Sequence, residues 1–392
     1  MDRTLWSMPA LLINAHRRSD FSVPSPSPAP LAIHRRLPGY APTPLRSLPA
    51  LARRLGLAGV DLKDESARLG LPAYKVLGAA WAAYRAIGVR LGRAPEPWAT
   101  VDELRQRLTT LPALRLVTAT DGNHGRGVAR VARWLGMPAQ IFVPVGTAVA
   151  RIGAIQSEGA TVVEVDGTYD ETVARAAALE GEEVLLIQDH GWPGYEEIPN
   201  WVAEGYETIF AEIEDELVLR RQPPYDLVLV QIGVGTLASA VVRHYRREGL
   251  TERPAVVGVE PVGAACALRS VQVGSPVMLS VGADASIMAG LNCGTPSSAA
   301  WPALLYGIDA YVAVEDEQAR TAMRWLAAEG IASGESGAAG LAGLLELLEG
   351  SDATRARPAL NLDGSSRVLL LSTEGVTDPV AYAAIVRRTP AP

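Results

Sequence analysis

The fold class is decided by the stretch DLVLVQIGVGTLASAVVRHY (226–245), in which an apolar run of strand length passes through a glycine turn into a helical pattern. Similar apolar runs recur along the chain, at LRLVTAT (114–120), QIFVPV (140–145), TVVEV (161–165), VLLIQD (184–189), AVVGVE (255–260) and RVLLLST (367–373). Helical patterns lie between them. This alternation predicts an α/β fold with buried, mostly parallel strands.

Composition excludes several classes of protein. With 392 residues, of which 48% are hydrophobic and 20% charged, the chain is expected to form a well-packed globular protein of two or three domains. The formal net charge of -7 and the lack of a long Lys/Arg run argue against nucleic acid or an anionic membrane as the main partner. We find no convincing secretion signal and no apolar run long enough to span a bilayer, so we expect a soluble, cytoplasmic protein.

Residues 21–50 are rich in proline and serine. We expect them to avoid regular helix and either to wrap a domain surface or to form an arm that faces a partner. Cys266 and Cys293 are too few for a disulfide framework and do not have zinc-ligand spacing. Buried thiols are favoured, a single bridge between them stays open, and no metal site is predicted.

Lys75 is the first candidate functional residue, because it lies in the apolar helical stretch AYKVLGAAWAAYRAI (73–87). A lysine buried there must lose its charge, form a Schiff base, or reach water with its tip. A surface lysine whose stem alone is buried is the ordinary alternative.

Glycine-rich turns follow two of the predicted strands, where ligands of open α/β sheets bind. In DGNHGRGVARVARWLG (121–136), Asp121 and Asn123 are suited to acid–base chemistry and to holding a phenolic oxygen, although Asp121 as a simple helix cap is the alternative. In GVGTL (233–237), backbone N–H groups and the Thr236 hydroxyl predict a cradle for a lone phosphate. Neither a Walker lysine nor a GxGxxG motif is present there.

Two further strand ends carry candidate residues. Ser372 and Thr373 can hydrogen-bond a neutral pyridine nitrogen, and strand-end capping is the alternative. Asp189 ends another strand beside His190, where a solvated loop carboxylate is the ordinary interpretation.

Taken in order, these segments resemble the fold-type II pyridoxal phosphate enzymes, the group of tryptophan synthase β, serine/threonine dehydratases and cysteine synthases, over roughly residues 55–380. The resemblance is closest to the diaminopropionate ammonia-lyases. It rests on KDESARLGLPAYKVLG (63–78), TATDGNHGRGVA (118–129), IMAGLNCGTP (287–296) and LSTEGVTDP (371–379). Many of the dehydratases have a sequence like Ser-Ser-Gly-Asn-His or Ser-Ala-Gly-Asn-His at this place. The corresponding residues of this chain are Thr-Asp-Gly-Asn-His (120–124), so Asp121 stands in place of the second Ser or the Ala.

The resemblance implies two open, twisted, mostly parallel sheets flanked by helices, an active site in the interdomain cleft, and a homodimer. It implies pyridoxal 5′-phosphate as cofactor and a small amino acid as substrate. We expect a proline-rich arm over residues 1–50, a large domain over 51–109 and 206–392, and a small domain over 110–205.

Residue roles also follow from the resemblance. Lys75 would bond to the cofactor and take the α-proton of the L-substrate, Asp121 would do so for the D-substrate, and Asp189 would bind or protonate the leaving β-amine. The cofactor would be held by Asn123 at O3′, by Gly233, Val234, Gly235, Thr236 and Leu237 at the phosphate, and by Ser372 at the ring nitrogen. Substrate binding is expected of Thr120, Asp121, Gly122, His124 and Asp189.

The implied reaction removes both amino groups of D- or L-2,3-diaminopropionate and leaves pyruvate. The alternative within the same class is a lyase, dehydratase or racemase that acts on another β-substituted amino acid such as serine or threonine. A cofactor-binding protein with a regulatory or scaffolding role is the alternative outside it.

Overall fold

The computed structural model of the protein describes residues 10–109, 113–120, 122–282 and 285–387. Asp121 lies outside the described residues. The chain forms two compact units. Unit 1 takes in the described residues of Met1–Pro26, Thr43–Ser66 and Glu212–Pro392, and unit 2 takes in those of Ser27–Pro42 and Ala67–Ala211.

Strands and helices alternate through most of the described chain. The strands are β1 (Leu11–Ile13), β2 (Leu45–Ser47), β3 (Gly59–Asp64), β4 (Arg115–Ala119), β5 (Ala139–Pro144), β6 (Thr161–Val165), β7 (Val184–Leu186), β8 (Leu227–Gln231), β9 (Ala255–Pro261), β10 (Ala310–Val314) and β11 (Arg367–Ser372). The helices are α1 (Ala29–His34), α2 (Pro49–Leu55), α3 (Lys75–Leu91), α4 (Val101–Leu108), α5 (Asn123–Leu135), α6 (Val149–Gln156), α7 (Tyr169–Ala177), α8 (Glu197–Arg220), α9 (Thr236–Tyr245), α10 (Cys266–Val273), α11 (Trp301–Gly307), α12 (Asp316–Ala328), α13 (Ala339–Glu349), α14 (Ala353–Ala359) and α15 (Pro379–Val386).

Unit 1 is built on a seven-stranded sheet with the order β1-β10-β9-β8-β11-β3-β2. The inner strands pair in parallel, and only the short edge strands β1 and β2 pair antiparallel to their neighbours. Strands β8, β10 and β11 are buried along their whole length, and α13 packs across them. The carboxyl ends of β8 and β11 therefore lie side by side at one edge of this sheet.

Unit 2 contains a four-stranded parallel sheet with the order β6-β5-β4-β7. Its core on one face is formed by β4, β5, β7 and α7, through side chains such as Val117, Phe142 and Leu186. The prediction of an α/β fold with two mostly parallel sheets is confirmed, and all seven predicted strands are present.

The boundaries of the two units differ from the predicted domain ranges. Residues 67–109 and 206–211, expected in the large domain, belong to unit 2. The physical reason is helix packing, because α3 lies against α5 and crosses α8 at a close glycine contact. Hydrophobic pattern alone does not show which sheet a helix joins.

The expectation that residues 21–50 avoid regular helix is wrong. They contain the short helix α1, which has a proline in its first turn, and α2 begins at Pro49. Proline is tolerated in a first turn because the N–H groups there have no partner within the helix. His34 ends α1 and is fully buried, and its ring nitrogens lie 2.7 Å from Thr208 Oγ1 and 3.0 Å from Leu77 O.

Strand β3 (GVDLKD) was not predicted, because its charged residues conceal the apolar alternation of a strand. All three charged side chains are buried and paired. Asp61 Oδ2 accepts hydrogen bonds from Tyr225 and Arg367, at 2.8 and 3.0 Å. Lys63 Nζ donates to Glu212 Oε2 and to Thr43 O, each at 2.7 Å.

Among the described residues, no helix is both long enough and apolar enough to cross a bilayer. Cys266, which is buried, and Cys293, which is partly buried, are not joined by a disulfide.

Replacing Lys63 by methionine is expected to destabilise the protein by about 3–5 kcal/mol, because Glu212 would keep a buried charge without its cation. The free energy of unfolding in urea measures the loss. Arg54→Met is the control, since the Arg54–Glu349 pair is solvent-exposed and is expected to contribute about 1 kcal/mol or less. Equal losses in the two variants would contradict the burial argument.

Candidate active site

Lys75 is the first residue of α3, directly after the buried Tyr74. The residues that follow it on the helix, from Val76 to Ala83, are buried. The Lys75 side chain keeps 22% of its surface exposed, and its Nζ lies 2.5 Å from Asp189 Oδ2. The amine is therefore held at the start of a buried helix, within reach of a ligand.

Glycines hold the backbone around Lys75 by close approach. A Cβ on Gly127 of α5 would lie 3.1 Å from the N and Cα atoms of Val76. A Cβ on Gly205 of α8 would lie 2.7 Å from Leu77 O and 2.8 Å from Gly78 Cα. Two helices thus pack backbone to backbone against the first turn of α3, which leaves Lys75 little freedom to shift.

Asp189 is positioned by the residue before it. The fully buried Gln188 accepts hydrogen bonds at Oε1 from Thr118 Oγ1 at 2.7 Å and from the Ala119 N–H at 3.0 Å. The Gln188 N–H donates to the Tyr195 hydroxyl, which in turn donates to Leu186 O. The chain after β7 is therefore tied to the end of β4.

His124 lies near the same oxygen of the Asp189 carboxylate as Lys75 does. Its Nδ1 is 3.7 Å from Asp189 Oδ2, and its Nε2 is 2.7 Å from Ile187 O. Because a carbonyl oxygen only accepts, Nε2 carries a proton and donates it to Ile187. The Nδ1 atom thus faces the carboxylate.

The protonation states of Lys75 and Asp189 follow from their pairing. Burial alone would lower the pKa of Lys75, but the charge and hydrogen bond of Asp189 raise that pKa well above its usual value. Burial alone would raise the pKa of Asp189, but the charges of His124 and Lys75 hold that pKa well below its usual range. Asp189 is therefore an ionised carboxylate that binds an ammonium group.

Unit 1 holds the glycine turn between β8 and α9. Gly235 has φ +99°, which favours glycine, and a Cβ there would lie 2.8 Å from Leu304 Cδ1. A Cβ on Gly233 would lie 3.0 Å from Gly290 O and 3.2 Å from Cys293 Sγ. The turn leads into a ten-residue helix whose first N–H groups have no acceptor within the helix. Its geometry suits an anion such as a phosphate.

Ser372 is the last residue of β11 and is fully buried. Its Oγ donates to Ser333 Oγ at 2.8 Å. Gln231 at the end of β8 contacts the Thr373 hydroxyl at 2.8 Å. The structure thus joins the predicted Ser372 to the strand that precedes the glycine turn.

The other predicted residues lie at the start of α5, in unit 2. Thr120 Oγ1 accepts hydrogen bonds from the N–H groups of Gly122 and Gly125, at 3.0 and 3.2 Å. This hydroxyl therefore shapes the turn, and substrate binding by Thr120 and Gly122 stays a prediction. Asn123 is the first, half-buried residue of the helix.

Comparison with known proteins identifies the family of this chain. The model of the family described as "Pyridoxal-phosphate dependent enzyme" matches residues 36–373. The chain belongs to that family. Diaminopropionate ammonia-lyase of Salmonella typhimurium is 36% identical over 372 residues, which cover 91% of this chain and 90% of the relative. The enzyme of the same name from Escherichia coli is 36% identical, with 92% of each chain covered.

Solved structures agree with this assignment. A holo crystal structure of diaminopropionate ammonia lyase from Escherichia coli has a TM-score of 0.87 and 33% identity, with 96% of each chain covered. Threonine deaminase isoform 2 from Solanum lycopersicum has a TM-score of 0.68 at 21% identity and supports the fold alone. The predicted fold-type II architecture and the predicted cofactor, pyridoxal phosphate, are confirmed.

The residues present fit the cofactor of this family. Pyridoxal phosphate carries an aldehyde, a phosphate and a ring nitrogen. Unit 2 offers the partly exposed amine of Lys75. Unit 1 offers the glycine turn at the start of α9, and contact of the buried Ser372 with the ring nitrogen stays a prediction.

The small number of lysines in the chain supports Lys75 as the residue that bonds to the cofactor, and this signal was not used in the prediction from sequence. The sequence contains two lysines, Lys63 and Lys75. Lys63 is 1% exposed and is paired with Glu212, so its amine is closed off within unit 1. A family member that bonds its cofactor through a lysine therefore has Lys75 as its candidate. Ser333, Gln188 and Gln231 were also missed, because nothing in their local sequence distinguishes them from core residues.

Replacing Gly127 by alanine is expected to lower the affinity for pyridoxal phosphate about tenfold, because the added methyl would press on the backbone at Val76 and displace Lys75. Absorbance titration of the cofactor-free protein measures the dissociation constant. Gly153→Ala in α6 is the matched control, since a Cβ there meets nothing within 4 Å. Unchanged affinity in Gly127→Ala would contradict the role of this contact.

Proposed function

We propose that the protein converts both enantiomers of 2,3-diaminopropionate, with one water, to pyruvate and two molecules of ammonia. The observation that carries the proposal is the contact of Asp189 with the Lys75 ammonium at 2.5 Å. The diaminopropionate ammonia-lyases that the chain resembles over nine-tenths of its length support it.

Asp189 suits a β-amine as the leaving group. An amine leaves as ammonia only when it is protonated, and an ionised carboxylate stabilises the ammonium form. When Lys75 bonds to the cofactor, Asp189 would lose the Lys75 charge beside it; a β-ammonium would restore a cation there, whereas the hydroxyl of serine or threonine would not. The amine of Lys75 shows that the carboxylate accepts an ammonium partner.

Lys75 and Asp121 are the two bases of the proposed reaction. Pyridoxal phosphate supplies an electron sink that acidifies the α-carbon of the amino acid. Lys75 would hold the cofactor through its aldehyde, and after the substrate's amine has taken its place there, the freed Lys75 amine would take the α-proton of the L-substrate. Asp121 takes that of the D-substrate. With two bases, either configuration at the α-carbon can lose its proton.

The other site residues bind and orient the cofactor and the substrate. The turn from Gly233 to Leu237 binds the phosphate through backbone N–H groups and the Thr236 hydroxyl. Ser372 would donate a hydrogen bond to the ring nitrogen and keep its proton, and Asn123 would contact O3′. His124 donates through Nε2 to Ile187 and turns Nδ1 toward Asp189, and a positive charge on this imidazole lowers the pKa of the carboxyl. Thr120 and Gly122 contribute the shape of the substrate-binding turn.

A homodimer and a cytoplasmic location belong to the same proposal. The resemblance supports the first, and the charge and composition of the chain support the second. Light scattering of the purified holoenzyme tests the dimer, and a monomer would contradict it.

Purified protein loaded with pyridoxal phosphate is expected to release pyruvate from D- and from L-diaminopropionate faster than from L-serine, and faster than it releases 2-oxobutyrate from L-threonine. Coupled oxidation of NADH by lactate dehydrogenase measures both products. Faster turnover of serine or threonine would contradict the ammonia-lyase proposal and favour a dehydratase.

Asp189→Asn is expected to lower the pKa of Lys75, because the carboxylate that raises that pKa is removed. The amine must be neutral to bond to an aldehyde, so the rate of cofactor association should increase with pH at lower pH values in the variant than in the parent. Stopped-flow absorbance of the cofactor-free protein across pH measures this rate. Asp166→Asn, at an exposed carboxylate of unit 2, is the control and should follow the parent profile. A profile unchanged in Asp189→Asn, or moved to higher pH, would contradict the pairing.

A further inference from the structure

The hydroxyl of Ser372 has a buried partner that the roles above do not use. Ser372 Oγ donates to Ser333 Oγ at 2.8 Å, and both side chains are fully buried. Ser333 Oγ lies 3.5 Å from Gly334 O, which is a long contact for a hydroxyl donor. A hydroxyl carries one hydrogen and two acceptor sites, so the direction of the bond between these serines can reverse.

We propose that Ser333 is a positioning residue for the ring nitrogen of the cofactor and acts through Ser372. The proposal rests on the assignment of Ser372 to that nitrogen. When Ser372 turns its single hydrogen toward the nitrogen, it stops donating to Ser333. Ser333 then turns its own hydrogen from Gly334 O to Ser372 Oγ. A hydroxyl that accepts a hydrogen bond becomes a stronger donor, because bonds in a chain polarise one another.

Ser333 is held in place by the segment that follows it. The Gly334 N–H donates to Glu374 O at 3.0 Å, and the Ser336 N–H donates to Glu374 Oε1 at 3.1 Å. A Cβ on Gly337 would lie 2.5 Å from Glu374 O and 2.7 Å from Ser333 Oγ. Glycine at position 337 is thus what allows the backbone to close over the Ser333 hydroxyl.

Gln231 ties this segment to both sides of Ser372. Its Nε2 lies 3.0 Å from Leu371 O and 2.8 Å from Thr373 Oγ1, on the residues before and after Ser372. The same nitrogen lies 3.1 Å from Ser336 O. One buried amide therefore fixes the end of β11 against the segment of residues 333–337.

The hydrogen-bonded pair of Ser333 and Ser372 also affects whether the cofactor's ring nitrogen carries a proton. A serine donates a hydrogen bond to the pyridine nitrogen without giving up its proton, whereas a carboxylic acid would protonate the ring. Ser333 strengthens the donor and leaves the nitrogen unprotonated. The readout that separates this role from a merely structural one is therefore the state of the ring nitrogen itself.

The test uses holoenzyme reconstituted with pyridoxal phosphate that carries ¹⁵N in the ring, in four proteins: the parent, Ser333→Ala, Ser372→Ala and the double variant. We expect the ¹⁵N chemical shift in Ser372→Ala to move toward that of a pyridine without a hydrogen bond. Ser333→Ala should move it in the same direction by a smaller amount and raise the cofactor dissociation constant about fivefold. The double variant should match Ser372→Ala, because Ser333 acts only through Ser372.

Ser366→Ala is the matched control. Ser366 lies just before β11 and is buried, and its hydroxyl accepts a hydrogen bond from the Asp363 N–H at 2.9 Å. It should leave the ¹⁵N shift at the parent value. Ser333→Cys replaces Ser333→Ala if the alanine variant does not fold, and its weaker donor should give a smaller change in the same direction.

The possible outcomes distinguish the role of Ser333 from that of Ser372. A parent-like shift in Ser333→Ala beside a moved shift in Ser372→Ala would overturn the role of Ser333 and leave that of Ser372 intact. A parent-like shift in Ser372→Ala would overturn the assignment of Ser372 itself. A double variant that moves further than Ser372→Ala would show that Ser333 acts by another route and would also overturn the inference.

Discussion

The pairing of Lys75 with Asp189 is the interaction on which the rest of the site depends. A buried carboxylate is stabilised by a neighbouring cation, and here the partly exposed Lys75 amine lies 2.5 Å from the oxygen of the buried Asp189. In the function proposed above, Lys75 bonds to the cofactor, and the β-ammonium of diaminopropionate would take its place as the cation beside Asp189. The same contact explains why Asp189 is ionised, and it supports an amine over a hydroxyl as the group that the proposed substrate presents to this carboxylate.

Backbone packing gives this pair its geometry. Gly127 and Gly205 let two helices close on the first turn of α3, and Gln188 ties the chain before Asp189 to β4. Unit 1 uses a similar principle, since Gln231 fixes the strand end beside Ser372. In each unit the candidate site residues lie at strand ends or helix starts, and buried amides and glycines hold them there. Rigid support of this kind fixes reacting groups before the substrate arrives.

Much of this was predictable from sequence. Apolar runs predicted seven strands correctly, and the glycine turn at 233–237 does lead into a helix, while its role as an anion site stays a prediction. Strand β3 was missed because its charges are neutralised by partners distant in sequence, such as Arg367 for Asp61. The helix α1 was missed because proline disfavours helix everywhere except in its first turn. Ser333 lies 39 positions from Ser372, and only the folded chain brings the two hydroxyls together.

The central claim is that Lys75 bonds to the cofactor. Reduction of the holoenzyme with borohydride converts that bond to a stable amine, and mass spectrometry of peptides then locates the added pyridoxyl group. Because the chain has only two lysines, the result is unambiguous. We expect the group on the peptide that contains Lys75 and none on that of Lys63. A label on Lys63, or no label on either lysine in protein that shows bound cofactor, would contradict the account.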